Sequence, residues 1–227
     1  MPPSYVKSCL IDKDKVNYEW SDWDPYELIE EADEKTVEAL SELSLSGMLC
    51  FVTGCLEWVA YRCSYDDKYT LPFEYIEAFW VYLAGLEIAL PDEVTDEDRW
   101  EGPFDGPVNL VIGKFYSTAQ AFDFGGSAIE AAFSAQVVKY ILNDTEPFLQ
   151  WESAVLARLN KYASSKYRLV ELHPIAKQIV DPSFEYDIKT EHELIRKNLL
   201  EINPYTNRFL SHLDKELKEY ANRVIDT

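Results

Sequence analysis

SGMLCFVTGCLEWVAYRCS, at residues 46–64, is the stretch that decides the fold class of this chain. Its apolar side chains cover most of the circumference of a helix, a pattern typical of a helix buried at the centre of a domain. Thr53 and Glu57 interrupt the apolar run and Arg62 ends it, so the stretch is too short and too polar to cross a membrane. We therefore expect a central helix over residues 46–64.

Helix-start patterns predict further helices on both sides of this central one. Asp24-Pro25 places a capping carboxylate before a proline, and Ser127 and Glu130 have the spacing of a capping box. Together with apolar periodicity, such patterns predict helices at 25–44, 72–90, 107–123, 127–142, 146–164, 191–202 and 204–225.

The predicted fold class is therefore all-α, with about eight helices in a single compact domain that spans residues 1–227. Strand signals are weak, and we expect at most a minor strand near 167–172. Residues 1–22 are predicted to form a mobile N-terminal segment.

Cysteine usage and the amino terminus predict a cytoplasmic protein. Cys9, Cys50, Cys55 and Cys63 form no CxxC pair, and buried free thiols are what a reducing compartment favours. The first residues, MPPSYVKSCL, lack the apolar region of a secretory signal. The three histidines of the chain have no metal-ligand spacing, so no cofactor or metal is predicted.

The net charge of −20 is unevenly distributed. Residues 1–150 hold 29 acidic and 9 basic side chains, whereas residues 151–227 hold 12 of each. The segment 12–42 contributes −9 and the segment 92–105 contributes −6, and both contain large aromatic residues. Basic side chains are sparse, so neither nucleic acid nor an anionic membrane surface is expected as a partner.

Carboxylates interspersed with tryptophan and tyrosine are suited to docking a basic protein. The acids would steer the encounter and pair with cations, while the aromatic rings would supply desolvated anchors. A solvated acidic loop is the alternative interpretation of the same segments. The predicted partner-binding residues are Trp20, Asp22, Trp23, Asp24, Tyr26, Glu27, Glu30, Glu31, Glu34, Asp96, Glu97, Asp98 and Trp100.

In size, acidity and helical content the chain is similar in character to bacterial immunity proteins, which protect a cell from a toxin. Nucleases are basic because their sites neutralise phosphates, so an acidic helical protein can occupy or cover such a site. The leading hypothesis is therefore an acidic, non-enzymatic binding protein that inhibits a toxin such as a nuclease.

Two other functions remain open. The spacing of Glu74, Glu77, Glu93 and Asp96 resembles the ExxE…ExxD pattern of all-α nucleoside triphosphate pyrophosphatases, which would imply a Mg²⁺-dependent hydrolase. Acids are so frequent in this chain that the spacing can also arise by chance. A helical adaptor is the other alternative, in which the seam of Leu210, Leu213 and Leu217 forms a homodimer or packs on the core of its own chain.

Glu57 is the most isolated acid in an apolar environment. Burial could raise its pKa and make it a general acid or base. Alternatively, Glu57 is a structural carboxylate that is hydrogen-bonded to a tyrosine or paired with an arginine such as Arg62 or Arg158.

Overall fold

The computed structural model describes residues 3–6, 16–64, 70–90, 101–166 and 172–224, and within them it confirms the all-α fold. The described residues contain no strand, only an isolated antiparallel bridge between Leu43 and Ser164. The helices are α1 Glu34–Ser41, α2 Leu45–Cys63, α3 Leu71–Leu83, α4 Gly102–Gln120, α5 Ser127–Ile141, α6 Glu146–Tyr162, α7 Glu191–Glu201 and α8 Asp214–Arg223.

Helix α2 is the centre of the fold, as its apolar circumference predicted. Every residue of α2 except Tyr61 is buried. Helices α3, α4, α5 and α6 all pack on α2, and Phe79 of α3 stacks on Phe115 of α4 with ring centroids 3.8 Å apart. The surrounding helices thus enclose one continuous hydrophobic core.

An aromatic cluster fixes α6 and the amino terminus against α2. Trp151 of α6 stacks on Phe51 and meets Trp58 edge-on, with centroids 5.8 and 6.0 Å away. Tyr5 also stacks on Trp151, with ring centroids 5.7 Å apart. The Trp151 indole N–H donates to the backbone oxygen of Val180 at 2.9 Å, which ties the 3-10 helix Lys177–Val180 to the same cluster.

The predicted helix at 25–44 is wrong in its first half. Asp24 caps only a 3-10 turn at Pro25–Glu27, and α1 begins at Glu34 after a second cap, where Asp33 accepts from the Thr36 N–H at 3.1 Å. Of the residues between the two caps only Ile29 is buried, so tertiary burial rewards little helix there.

The predicted helix at 204–225 is also too long. Asn203-Pro204 opens only a 3-10 turn at Pro204–Thr206, and α8 begins at Asp214. Asn207 donates to the backbone oxygen of Glu74 at 2.9 Å, and Arg208 is ion-paired with the Glu74 side chain. These tertiary bonds to α3 outweigh the local helix signal.

Two further helix boundaries and one predicted cap differ from prediction. Helix α3 ends before Gly85, whose φ of 90° is left-handed. Helix α4 begins at Gly102, earlier than predicted, and contains Pro107. Ser127 is not the predicted cap, since its hydroxyl donates to the Thr118 oxygen at 2.6 Å while Glu130 pairs with Lys114.

Part of the segment predicted to be mobile makes specific contacts. Val6 is buried. The Tyr18 hydroxyl donates a hydrogen bond to the backbone oxygen of Pro103, and the Tyr140 hydroxyl donates one of 2.6 Å to the backbone oxygen of Glu19. Residues 7–15 and all but Leu172 of the predicted strand at 167–172 lie outside the described residues, so the mobility and the strand stay predictions.

The leucine seam near the carboxyl terminus faces the core of its own chain. Leu210, Leu213 and Leu217 are all buried, and the first two precede α8 rather than lying on it. This placement favours internal packing over contact between two chains. Cys50, Cys55 and Cys63 are buried and form no disulfide, as predicted, whereas Cys9 is outside the described residues.

Helix α2 should tolerate no added methyl group where it meets Trp151. A Cβ at Gly54 would lie 2.6 Å from a ring carbon of Trp151, whereas a Cβ at Gly113 on α4 would meet nothing within 4 Å. Gly54→Ala should lower the free energy of unfolding by about 1–3 kcal/mol through overpacking. The matched control Gly113→Ala should raise it by about 0.5–1 kcal/mol through helix propensity. Urea denaturation measures both, and equal effects of the two substitutions would contradict this account of the core.

Candidate functional site

Trp20 and Asp22 attach the predicted docking segment to the amino-terminal end of α4. Asp22 Oδ1 accepts from the Trp20 indole N–H at 3.0 Å and from the Gly102 N–H at 2.7 Å, so it serves as a cap for α4. The Trp20 ring lies directly on Gly106, where an added Cβ would come within 2.2 Å of the indole nitrogen. Both predicted docking residues therefore hold the segment in place.

Asp24 and Tyr26 shape the next turn of this segment. Asp24 Oδ1 accepts from the backbone N–H of Tyr26 at 3.1 Å. The Tyr26 ring packs against Phe133 of α5 with centroids 5.2 Å apart, and the Lys114 ammonium lies 5.0 Å from the Tyr26 centroid. Half of Tyr26, 52%, remains exposed.

Trp23 is the most exposed large apolar residue of the segment, with 97% of its surface accessible. Glu27, Glu30, Glu31 and Glu34 are exposed too, and within the described part of the chain they form no ion pair. We define the acidic surface by its exposed members, which are Trp23, Tyr26, Glu27, Glu30, Glu31 and Glu34.

The second predicted acidic segment is described only at its carboxyl-terminal end, from Glu101 onward. Asp96, Glu97, Asp98 and Trp100 lie outside the described residues. Of the acids near them, Glu101 is exposed and Asp105 is half-buried.

A surface groove beside Tyr26 was not apparent from the sequence. Its volume is about 260 Å³, and it runs along α4 past Leu110, Gly113 and Lys114. Lys114 is buried and forms an ion pair of 2.7 Å with Glu130 of α5. The groove arises where Tyr26 is set against the face of α4, a long-range contact that no local motif signals.

A larger cavity of about 420 Å³ lies on the side of α2 that carries Glu57. Glu57 is 8% exposed; it accepts a hydrogen bond from the Tyr5 hydroxyl and another, of 2.8 Å, from the indole N–H of Trp80. The structural alternative predicted from the sequence, a buried glutamate bonded to a tyrosine, is therefore confirmed. Burial raises the pKa of Glu57, and the hydrogen bonds from Tyr5 and Trp80 offset only part of that rise.

Glu77 of α3 lines the same cavity. Its carboxylate accepts a hydrogen bond of 2.9 Å from the Asn207 side chain. Burial again raises the pKa, against the lowering effects of the Asn207 hydrogen bond and the Lys177 charge. Glu57 and Glu77 are distant in the sequence, and only the packing of α2 against α3 brings them to one cavity.

Glu74 belongs to a structural ion pair and not to this cavity. Arg208 Nε donates to Glu74 Oε2 at 2.8 Å, and the Thr70 hydroxyl donates to Oε1 at the same distance. Burial pushes the pKa of Glu74 up, but the hydrogen bonds from Arg208 and Thr70 outweigh it and bring the pKa below its usual range.

The ion pair of Glu74 with Arg208 argues against a metal site of the pyrophosphatase type. Glu74 is occupied by Arg208, and Glu93 and Asp96 lie outside the described residues. Among the residues that can be described, no group of three or more His, Cys, Asp or Glu side chains has the arrangement of a metal site.

Comparison of the chain with protein-family models, with curated proteins and with solved structures finds no match in any of the three. Among the described residues, no helix is both long and apolar enough to span a bilayer.

The two tryptophans of the docking segment should differ sharply in their contribution to stability. Trp20→Ala removes the packing on Gly106 and the hydrogen bond to Asp22, so it should lower the free energy of unfolding by about 1–3 kcal/mol. Trp23→Ala removes an exposed side chain and should change it by no more than about 0.5 kcal/mol. Denaturant unfolding of both variants measures this, and a large loss in Trp23→Ala would show that Trp23 supports the fold.

Stability should depend on pH through Glu57. Because the folded-state pKa is raised, the folded protein binds more protons than the unfolded chain between the ordinary glutamate pKa and the raised one. The favourable contribution is complete below the ordinary pKa and is lost as pH rises through the raised pKa. Glu57→Gln keeps both hydrogen-bond partners, since the amide oxygen can accept from Trp80 and the amide N–H can donate to Tyr5.

Wild type should therefore lose stability relative to Glu57→Gln as the pH is raised from about 4 towards 8. Chemical denaturation of the two proteins across this range measures the difference. A difference that stays constant with pH would contradict the raised pKa.

Proposed function

We propose that this chain is an acidic binding protein whose acidic surface docks and neutralises a basic protein partner. The observation that carries the proposal is Trp23, fully solvent-exposed among carboxylates that have no cationic partner within the described residues. An exposed indole contributes nothing to the core, but it would bury on the order of 200 Å² in an interface. Tryptophan is also among the residues most enriched at interface hot spots.

The charge of this surface favours a cationic partner. Glu27, Glu30, Glu31 and Glu34 lie within eight residues, and like charges so close together repel one another unless a cation approaches. A positively charged partner would be steered towards them, which raises the association rate. Nucleic acid carries the same sign of charge as this surface and would be repelled.

The backbone that presents Trp23 is held before any partner arrives. Trp20, Asp22 and Asp24 make intramolecular contacts on either side of it, and Ile29 is buried further along. A surface that is already ordered loses less conformational entropy on binding. This arrangement supports docking as a rigid element in preference to folding on the partner.

The specific form of the proposal is an immunity protein that inhibits a toxin with the basic surface of a nuclease, in the cytoplasm of the cell that makes it. A basic nucleic-acid-binding site is the most strongly cationic surface that a protein commonly offers. The Glu74-based hydrolase receives no support from the geometry, because Arg208 occupies that carboxylate.

The test is affinity capture from the native cell followed by kinetics on the captured protein. Wild type is compared with Glu30→Lys/Glu31→Lys, and with a control of equal charge change, Glu201→Lys/Glu219→Lys, on the exposed faces of α7 and α8. The first variant should slow association about tenfold or more at low salt and flatten its salt dependence. The control should leave the rate close to that of wild type.

Trp23→Ala should weaken binding of the same protein by about 30-fold, the effect of a hot spot worth 2 kcal/mol. Capture of an acidic protein, or association rates that are equal in wild type and in Glu30→Lys/Glu31→Lys, would refute the proposal.

A further inference from the structure

The cavity on the Glu57 side of α2 is separate from the acidic surface and has its own chemistry. Its volume of about 420 Å³ is within the range of small-molecule sites. None of its lining residues belongs to the acidic surface. Its walls come from five parts of the chain: the amino-terminal residues 3–5, α2, α3, the segment 175–181 and α7.

Aromatic rings form much of the wall. Tyr61 of α2 and Phe73 of α3 pack together with centroids 4.8 Å apart, and both line the cavity. Tyr5 and Trp80 line it as well, each joined to Glu57 by a hydrogen bond. The faces of such rings carry partial negative charge and attract cations.

Carboxylates outnumber cations around the cavity. Glu57, Glu77 and Asp181 line it, and the one basic lining residue among those described is Lys177, which is exposed. Among the described residues, each oxygen of the buried Glu57 carboxylate has one donor, which leaves it a lone pair for a further donor. Burial raises the pKa values of both Glu57 and Glu77, which means that their charged forms lack full compensation in the protein alone.

We propose that this cavity binds a small organic ammonium ion, with the ammonium group at Glu57 and Glu77 and the hydrocarbon part against Tyr61, Phe73 and Trp80. The ammonium supplies the donors and the positive charge that the two carboxylates can still accept. The apolar part of the ligand covers aromatic surface that a hydrated metal ion would leave exposed. An anion would meet three carboxylates, and a neutral ligand would bring them no positive charge.

A matched series of ligands tests this inference. 2-Phenylethylamine, 2-phenylethanol and phenylacetate share one hydrocarbon and differ in carrying an ammonium, hydroxyl or carboxylate group. Titration calorimetry with the full chain should give saturable binding of the amine at one site, at least about tenfold tighter than the alcohol, and no binding of phenylacetate. Choline serves as a second ammonium probe with a different shape.

Two variants locate the site. Glu77→Gln keeps an oxygen to accept from Asn207 but removes the charge, so it should weaken amine binding about tenfold or more. The control Glu87→Gln alters an exposed glutamate just beyond α3 that does not line the cavity, and it should bind like wild type. Phe73→Leu should weaken the amine about threefold or more while leaving the weak alcohol binding nearly unchanged. Melting curves of each variant verify that it is folded.

Equal affinity for the amine and the alcohol would overturn the inference, as would failure of both ammonium probes to bind up to about 10 mM. Amine binding that survives Glu77→Gln unchanged would also overturn it. None of these outcomes bears on the acidic surface, so the docking proposal is tested independently of this one.

Discussion

The close approach of α2 and α6 at Gly54 is the constraint on which the rest of the structure depends. Because Gly54 has no side chain, Trp151 can lie flat against α2 and meet Phe51 and Trp58 in one cluster. The same indole holds the backbone of Val180, and Tyr5 stacks on it. The segments that carry Tyr5 and residues 175–181 form two walls of the Glu57 cavity, so two of its walls are held through the ring that packs on Gly54.

The two candidate sites use different structural means. The Glu57 cavity is built from pieces far apart in sequence that meet in the core, and its polar groups bond with one another before any ligand binds. The acidic surface is local in sequence, and its exposed members depend on anchors that flank them, such as Trp20 on Gly106. Buried polar groups must find partners in the fold, whereas exposed ones can remain available for another molecule.

Features that depend on local interactions could be predicted from the sequence, whereas features that depend on contacts between distant residues could not. The apolar circumference of residues 46–64 correctly predicted α2 at Leu45–Cys63, because a helix that is buried on all sides has apolar residues on all sides. Asp24-Pro25 gave a valid cap but a wrong helix, because a cap satisfies one backbone group and cannot supply an apolar face. For Glu57, a tyrosine partner was foreseeable from burial, but Tyr5 lies 52 residues away and only the aromatic cluster brings it there.

Several basic residues neutralise acids at packing contacts, but none of the described ones forms an ion pair with a carboxylate of the acidic surface. Three of the cations pair with acids where helices pack: Lys114 with Glu130 between α4 and α5, Lys139 with Glu152 between α5 and α6, and Arg208 with Glu74 of α3. Acids at these contacts would destabilise the fold if they were left unpaired, because desolvation is costly for an isolated charge. The acids of the acidic surface are hydrated and carry no such cost, so folding neither requires their charge nor removes it. Their accumulation around an exposed tryptophan is therefore a property of the surface itself, and a cationic partner is the type of molecule that would neutralise it.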